Sequence, residues 1–186
     1  TASDGTFSDY FGDEVSLDSD TAFIGAHMDD DDINGGYNSG SAYVFVRSNG
    51  VWSEQQKLIA NDATQNDKFG VDLSLNGDTA VIGAPLDDDN GDNSGSAYIF
   101  VRSNGVWSEE KKLTASDGFG NDIFGRSVSI DGDTAVIGAQ YDSSNDYPTG
   151  SAYVFVRSNS VWTQQQRLTA SDGAAFDDFG RSVSID

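Results

Sequence analysis

The chain has 186 residues, with 10 basic against 31 acidic side chains, a formal net charge of −21 and no cysteine. Such a surface repels phosphate backbones and anionic lipid, which argues against nucleic-acid and membrane-surface partners. The missing thiols exclude disulfides, thiolate zinc sites and cysteine nucleophiles, and no apolar run approaches the roughly 20 residues that insert across a bilayer.

Residues 1–10 read as the end of a connecting loop, because Thr1-Ala2-Ser3-Asp4-Gly5 returns as Thr169-Ala170-Ser171-Asp172-Gly173. A first strand is predicted over 12–17, where Val15 and Leu17 alternate with Glu14 and Ser16 at the period of a half-buried strand. Asp18-Ser19-Asp20 turns the chain, and its equivalents Asn76-Gly77-Asp78 and Asp131-Gly132-Asp133 carry the two-residue hairpin signal. The second strand falls at 21–25, repeated at 79–83 and 134–138. It is rich in β-branched residues and nearly uncharged, so it is expected to be buried on both faces, with a closing Gly-Ala that admits a close backbone approach.

Long polar loops follow at 28–39, 86–94 and 141–149. The third strand, 41–47, places Tyr43 and Phe45 on one face and Ala42, Val44 and Val46 on the other, so both faces need cover; it is echoed at 96–102 and 151–157. Asn49-Gly50, Asn104-Gly105 and Asn159-Ser160 mark a second hairpin. The fourth strand, 51–58, has a polar middle of Glu54, Gln55, Gln56 and Lys57 that suits an outer edge. No segment keeps a 3.6-residue apolar period, so no helix is predicted.

The unit opens at Phe11-Gly12, Phe69-Gly70, Phe124-Gly125 and Phe179-Gly180, which lie 58, 55 and 55 residues apart. Periods of this size point to propellers, solenoids or arrays, and four antiparallel strands with a polar outermost one describe a propeller blade. The fold class is therefore all-β, with blades at 11–68, 69–123 and 124–178 and the first strand of a further blade at 179–186. Since propellers close with about four to eight blades, the ring is expected to be completed by further sequence or by homo-oligomerisation. In an up-and-down meander the turns alternate between sheet ends. The short hairpins therefore share one end, and the long acidic loops share the other with the connections between blades.

The pattern Phe-Gly-x-x-Val/Leu-Ser-Leu/Ile followed by Ile-Gly-Ala-Pro resembles the FG-GAP repeat, and the resemblance spans essentially the whole chain. It is similar to the bacterial secreted branch of the family that includes the propeller heads of integrin α-subunits. The resemblance implies four-stranded blades, usually seven to a ring, an extracellular or cell-surface location, and roles in adhesion or ligand binding. Two departures stand out. Only the second unit keeps Gly83-Ala84-Pro85, against Gly25-Ala26-His27 and Gly138-Ala139-Gln140, and the family's calcium loop between strands one and two is replaced by short turns.

Calcium is the one cofactor the residues suggest. Asp29, Asp30, Asp31 and Asp32, and Asp87, Asp88, Asp89 and Asp92, supply hard oxygens on Gly-containing loops, the alternative being solvated loops that keep the protein soluble. Asp4 and Asp9 recur as Asp62 and Asp67, Asp117 and Asp122, and Asp172 and Asp177; short Asp side chains capping backbone amides are favoured over a repeated ligand contact. His27, the only histidine, reads as a loop residue and not a base. Trp52, Trp107 and Trp162 recur with the blade and are expected between blades and not on a sugar-stacking surface, and Arg47, Arg102 and Arg157 are expected to pair with acids near the hairpins. With no nucleophile and base in view, the expected function is a non-enzymatic extracellular binding or scaffold module engaging a protein or glycan through its acidic loop face. The alternatives are an accessory domain of a secreted hydrolase or lyase, and a purely structural spacer in a surface adhesin.

Overall fold

The structure is a computed structural model that describes residues 1–30, 36–143 and 147–186. Its strands fall into three four-stranded antiparallel meanders. The first contains β1 (Val15–Asp18), β2 (Thr21–Ala26), β3 (Ser41–Ser48) and β4 (Val51–Leu58). The second contains β5 (Leu73–Asn76), β6 (Thr79–Ala84), β7 (Ser96–Ser103) and β8 (Val106–Leu113), and the third β9 (Ser127–Asp131), β10 (Thr134–Ala139), β11 (Ser151–Ser158) and β12 (Val161–Leu168). No helix occurs among the described residues. The all-β, blade-by-blade organisation read from the repeat is what the structure shows.

Strand ends follow the turn chemistry. Asn49 and Gly50 both take positive φ, 51° and 80°, the geometry of the hairpin turn that matches strand twist. At the third copy Ser160 stands in the glycine position with φ 62°. The first strand is shorter than predicted: residues 12–14 are not in it. Gly12 turns at φ 93° and donates its N–H to the Gly25 carbonyl at 2.9 Å, so the chain enters the sheet only after the Phe-Gly corner. Residues 179–186, expected to be the first strand of a further blade, carry no strand. They nonetheless dock on the third sheet, through a parallel bridge between Gly150 and Phe179 and an Ile185 N–H donated to Ser129 Oγ at 3.1 Å.

The sheets meet through two layers of side chains. Phe23, Val44 and Leu58 of the first sheet pack on Leu75, Ile82, Phe100 and Trp107 of the second. Val81, Ile99 and Leu113 of the second pack on Ile130, Ile137, Phe155 and Trp162 of the third. The tryptophan series shows the rule: Trp107 and Trp162, which have a sheet in front of them, are 2% and 5% exposed, and Trp52, which has none, is 38% exposed. Trp107 meets Phe23 edge-on at 4.8 Å, so these rings lie between blades, as expected. The arginines also behave as expected, with Arg47, Arg102 and Arg157 donating through Nε to Asp20, Asp78 and Asp133 at 2.6 Å.

Polar side chains stitch the sheets where apolar ones cannot. Ser16 Oγ accepts the Leu75 N–H at 3.0 Å and Ser74 Oγ the Ile130 N–H at 3.2 Å, so the serine inside each first strand satisfies the amide of the next first strand. At the outer edge the Gln56 amide pairs with the backbone of Trp107, donating at 2.7 Å and accepting at 3.0 Å. The polar middle of the fourth strand thus couples neighbouring blades as well as blunting the edge.

Candidate functional site on the loop face

Each blade places one tyrosine and one cation opposite each other at the loop end of its sheet. The register pairs Tyr43 with Lys57, Tyr98 with Lys112 and Tyr153 with Arg167. On each pair close one aspartate from the connection that leads into the blade and at least one from the long loop. Lys57 Nζ lies 2.8 Å from Asp4 and 2.6 Å from Asp29. Lys112 Nζ lies 2.8 Å from Asp62, 2.8 Å from Asp87 and 2.6 Å from Asp89. Arg167 lies 2.9 Å from Asp117 and 2.6 Å from Asp142. The tyrosine hydroxyl donates to the same acids, Tyr98 to Asp62 and Asp87 at 2.9 Å each.

The candidate calcium residues therefore divide. Asp29 and Asp87 are buried among protein cations and tyrosine. Asp30 and Asp88 accept the N–H of Asn38 at 2.8 Å and of Asn93 at 2.6 Å, holding their loops. Asp92 is exposed, and its backbone carbonyl accepts the Asn121 N–H at 2.7 Å. Asp31 and Asp32 lie outside the described residues. Ligand atoms of Asp62, Asp87 and Asp89 come within 4.8 Å of one another, a spacing that suits a metal, but the Lys112 ammonium sits among them. Burial alone would lower the Lys112 pKa; its hydrogen bonds to Asp62, Asp87 and Asp89 outweigh that and hold it above the ordinary lysine range. Burial and the same acids push the Tyr98 hydroxyl up, so it remains a donor.

The recurrent aspartate pairs also divide. Asp9, Asp67, Asp122 and Asp177 cap backbone amides as expected: Asp67 takes the Thr64 N–H at 2.6 Å and the Thr64 hydroxyl at 2.9 Å, Asp9 does the same for Thr6, and Asp122 and Asp177 take the N–H of Phe119 and Ala174 at 2.7 Å. Asp4, Asp62 and Asp117 instead join the tyrosine clusters. Sequence reasoning missed Lys57, Lys112 and Arg167, whose only signal was their recurrence with the tyrosines at the blade period.

Burial pushes Asp67, Asp72 and Asp122 up to about 6, against the hydrogen bonds that pull them down. These values lie above the usual carboxylate value of about 4. Between about pH 4 and 6 the folded chain therefore holds protons that the unfolded chain has released, and the stability they contribute is lost as pH rises through about 6. Asp4 and Asp62 shift down, burial opposing their lysine hydrogen bonds, and act only below that window. The thermal midpoint is expected to be higher at pH 5 than at pH 7, measured by circular dichroism at constant ionic strength. A lower midpoint at pH 5 would refute this assignment.

Around these clusters the loop face exposes aromatic rings, with Phe7, Phe119 and Phe176 at 98%, 76% and 71% exposure and Tyr10, Tyr37 and Tyr147 also open to solvent. No curated protein sequence matches the chain. The family described as the FG-GAP repeat matches residues 1–45, 52–100, 107–155 and 162–186. Each full match begins within a fourth strand and ends within the third strand of the next sheet, so the matched unit spans a blade junction. With those matches covering nearly the whole length and the structure repeating one four-stranded sheet per unit, the chain belongs to the FG-GAP repeat family.

Proposed function

We propose that the chain is a non-enzymatic extracellular binding module whose acidic loop face engages a protein or glycan partner. The observation that carries this reading is the set of exposed rings, Phe7, Phe119 and Phe176 foremost, on loops that the sheets beneath hold in place. Exposed aromatics grouped on one face, rimmed by polar groups, are the surface chemistry of recognition, and aromatic anchors supply most of the affinity in such contacts. The surrounding carboxylates favour a partner with cationic or hydroxyl-rich groups over an anionic polymer.

The test screens the chain against an oligosaccharide array and against cell-surface preparations. It then compares a variant with Phe7, Phe119 and Phe176 changed to serine against one with Val51, Val106 and Val161 changed to serine at the hairpin end. The first is expected to lose binding by about tenfold or more and the second to keep it. Equal losses, or binding indifferent to both, would sink the reading.

A further inference from the structure

We infer that the cavity where the loop ends of the three sheets converge binds a small ligand through a single carboxylate, received by Lys68 and Arg126 beside His27. The cavity has a volume of about 600 Å³ and takes residues from every blade. Its wall includes the three residues that follow Gly-Ala at the end of each second strand, His27, Pro85 and Gln140. This deepens the reading of the loop face as the binding face by naming a ligand class and a place for it.

Three observations converge. In a chain of net charge −21, seven of the ten Lys and Arg side chains pair with acids among the described residues, but Lys68 and Arg126 do not, and both line this cavity. His27 is 8% exposed and its Nδ1 has no hydrogen-bond partner among the described residues; Asp13 Oδ2, at 3.7 Å, lies beyond hydrogen-bond reach. A buried polar atom left unpaired costs free energy that a ligand atom would recover. Burial lowers the His27 pKa, and the nearby Lys68 and Arg126 charges add to this against Asp13, so the ring is neutral and can present one lone pair or one N–H.

The rest of the lining limits the ligand. Val71, Pro85, Leu86 and Ile123 form an apolar wall, while Asp13 and Glu14 stand at the same cavity and disfavour a second negative charge. The long-range field of the chain likewise repels a polyanion, which leaves a compact ligand with one carboxylate and an uncharged body. A sugar acid and a peptide-like acid both carry that chemistry.

His27 is the only histidine, so its ring resonances report on this cavity alone. Histidine-labelled full chain would be titrated, at constant ionic strength and pH, with glucuronate and with N-acetylleucine, each against its uncharged counterpart, glucose and N-acetylleucinamide. At least one acid is expected to shift the His27 signals saturably while its counterpart does not, and the better acid names the source of the carboxylate. Lys68→Gln and Arg126→Gln should each weaken that acid by about tenfold, the loss of one charge-assisted hydrogen bond, with the spectrum otherwise native. Acids and counterparts shifting His27 equally, no saturable shift, or full affinity in both variants would overturn the inference. Those outcomes leave the aromatic face untouched, since Phe7, Phe119 and Phe176 do not line this cavity.

Discussion

Replacing Gly83 by alanine is expected to cost about 4 kcal/mol or more, enough to unfold a domain of ordinary stability. A Cβ at Gly83 would overlap the carbonyl oxygen of Gly125, a backbone atom that no rotamer change can move. Gly125 cannot retreat. Its N–H is donated to the Gly138 carbonyl at 3.0 Å, its φ is 88°, and a Cβ on it would itself overlap the Ser96 carbonyl. Relief therefore requires the second and third sheets to part, opening the layer that holds Val81, Ile137, Phe155 and Trp162. The same contact joins Gly25 to Gly70 and Gly138 to Gly180, so the Gly of each Gly-Ala corner abuts the Gly of the next Phe-Gly corner. Gly77→Ala is the control. Its φ of 59° is unfavourable for alanine, but a Cβ there meets nothing within 4 Å, and the cost is about 1 to 2 kcal/mol. Urea midpoints followed by tryptophan fluorescence compare the two. A small, equal effect at both sites would refute the role given to the glycine contact.

That contact shows where sequence reading succeeds and where it stops. The closing Gly-Ala already signalled a close backbone approach, because a strand that is otherwise β-branched has no local use for glycine. Its partner was not legible, since Gly125 lies in the next repeat and only the packing of sheets brings the two together. The strands and the separation of hairpins from loops were legible for a simpler reason. Alternation, two-residue turn signals and antiparallel connectivity are local, and they recur from unit to unit along the chain. The Asp67 cap was likewise local, as its partner Thr64 stands three positions away. The surroundings of the acidic loops could not be read from composition. Asp87 counts as one more hard oxygen until Lys112, drawn from a strand that reads as plain polar edge, is placed beside it by the Tyr98 register. The cavity at Lys68 and Arg126 was beyond local reasoning altogether, because its lining runs from Asp13 to Tyr141.

Lys112→Ala should lower stability by about 2 to 4 kcal/mol, while Lys112→Arg should be nearly neutral. The lysine answers Asp62, Asp87 and Asp89 at once, and Asp87 is buried with Tyr98 donating to it. Removing the ammonium leaves three carboxylates crowded around a tyrosine that cannot neutralise them. The cost falls toward the lower part of the range for a broken buried pair because Asp62 and Asp89 are half exposed and water screens them. Arginine is tolerated for a reason visible in the third blade, where Arg167 makes the equivalent contacts with Asp117 and Asp142. The lysine stays charged well past neutrality, so the loss should be the same at pH 6 and pH 9. The variant also separates the two readings of the acidic loops. With the ammonium gone, the carboxylate oxygens within 4.8 Å of one another become available to a divalent cation, and calcium, against sodium at matched ionic strength, should raise the urea midpoint of Lys112→Ala more than that of the wild type. Equal rises in both proteins would place the calcium-sensitive carboxylates elsewhere on the loop face, and a wild type no more stable than Lys112→Ala would show that the ammonium contributes nothing to holding the blade together.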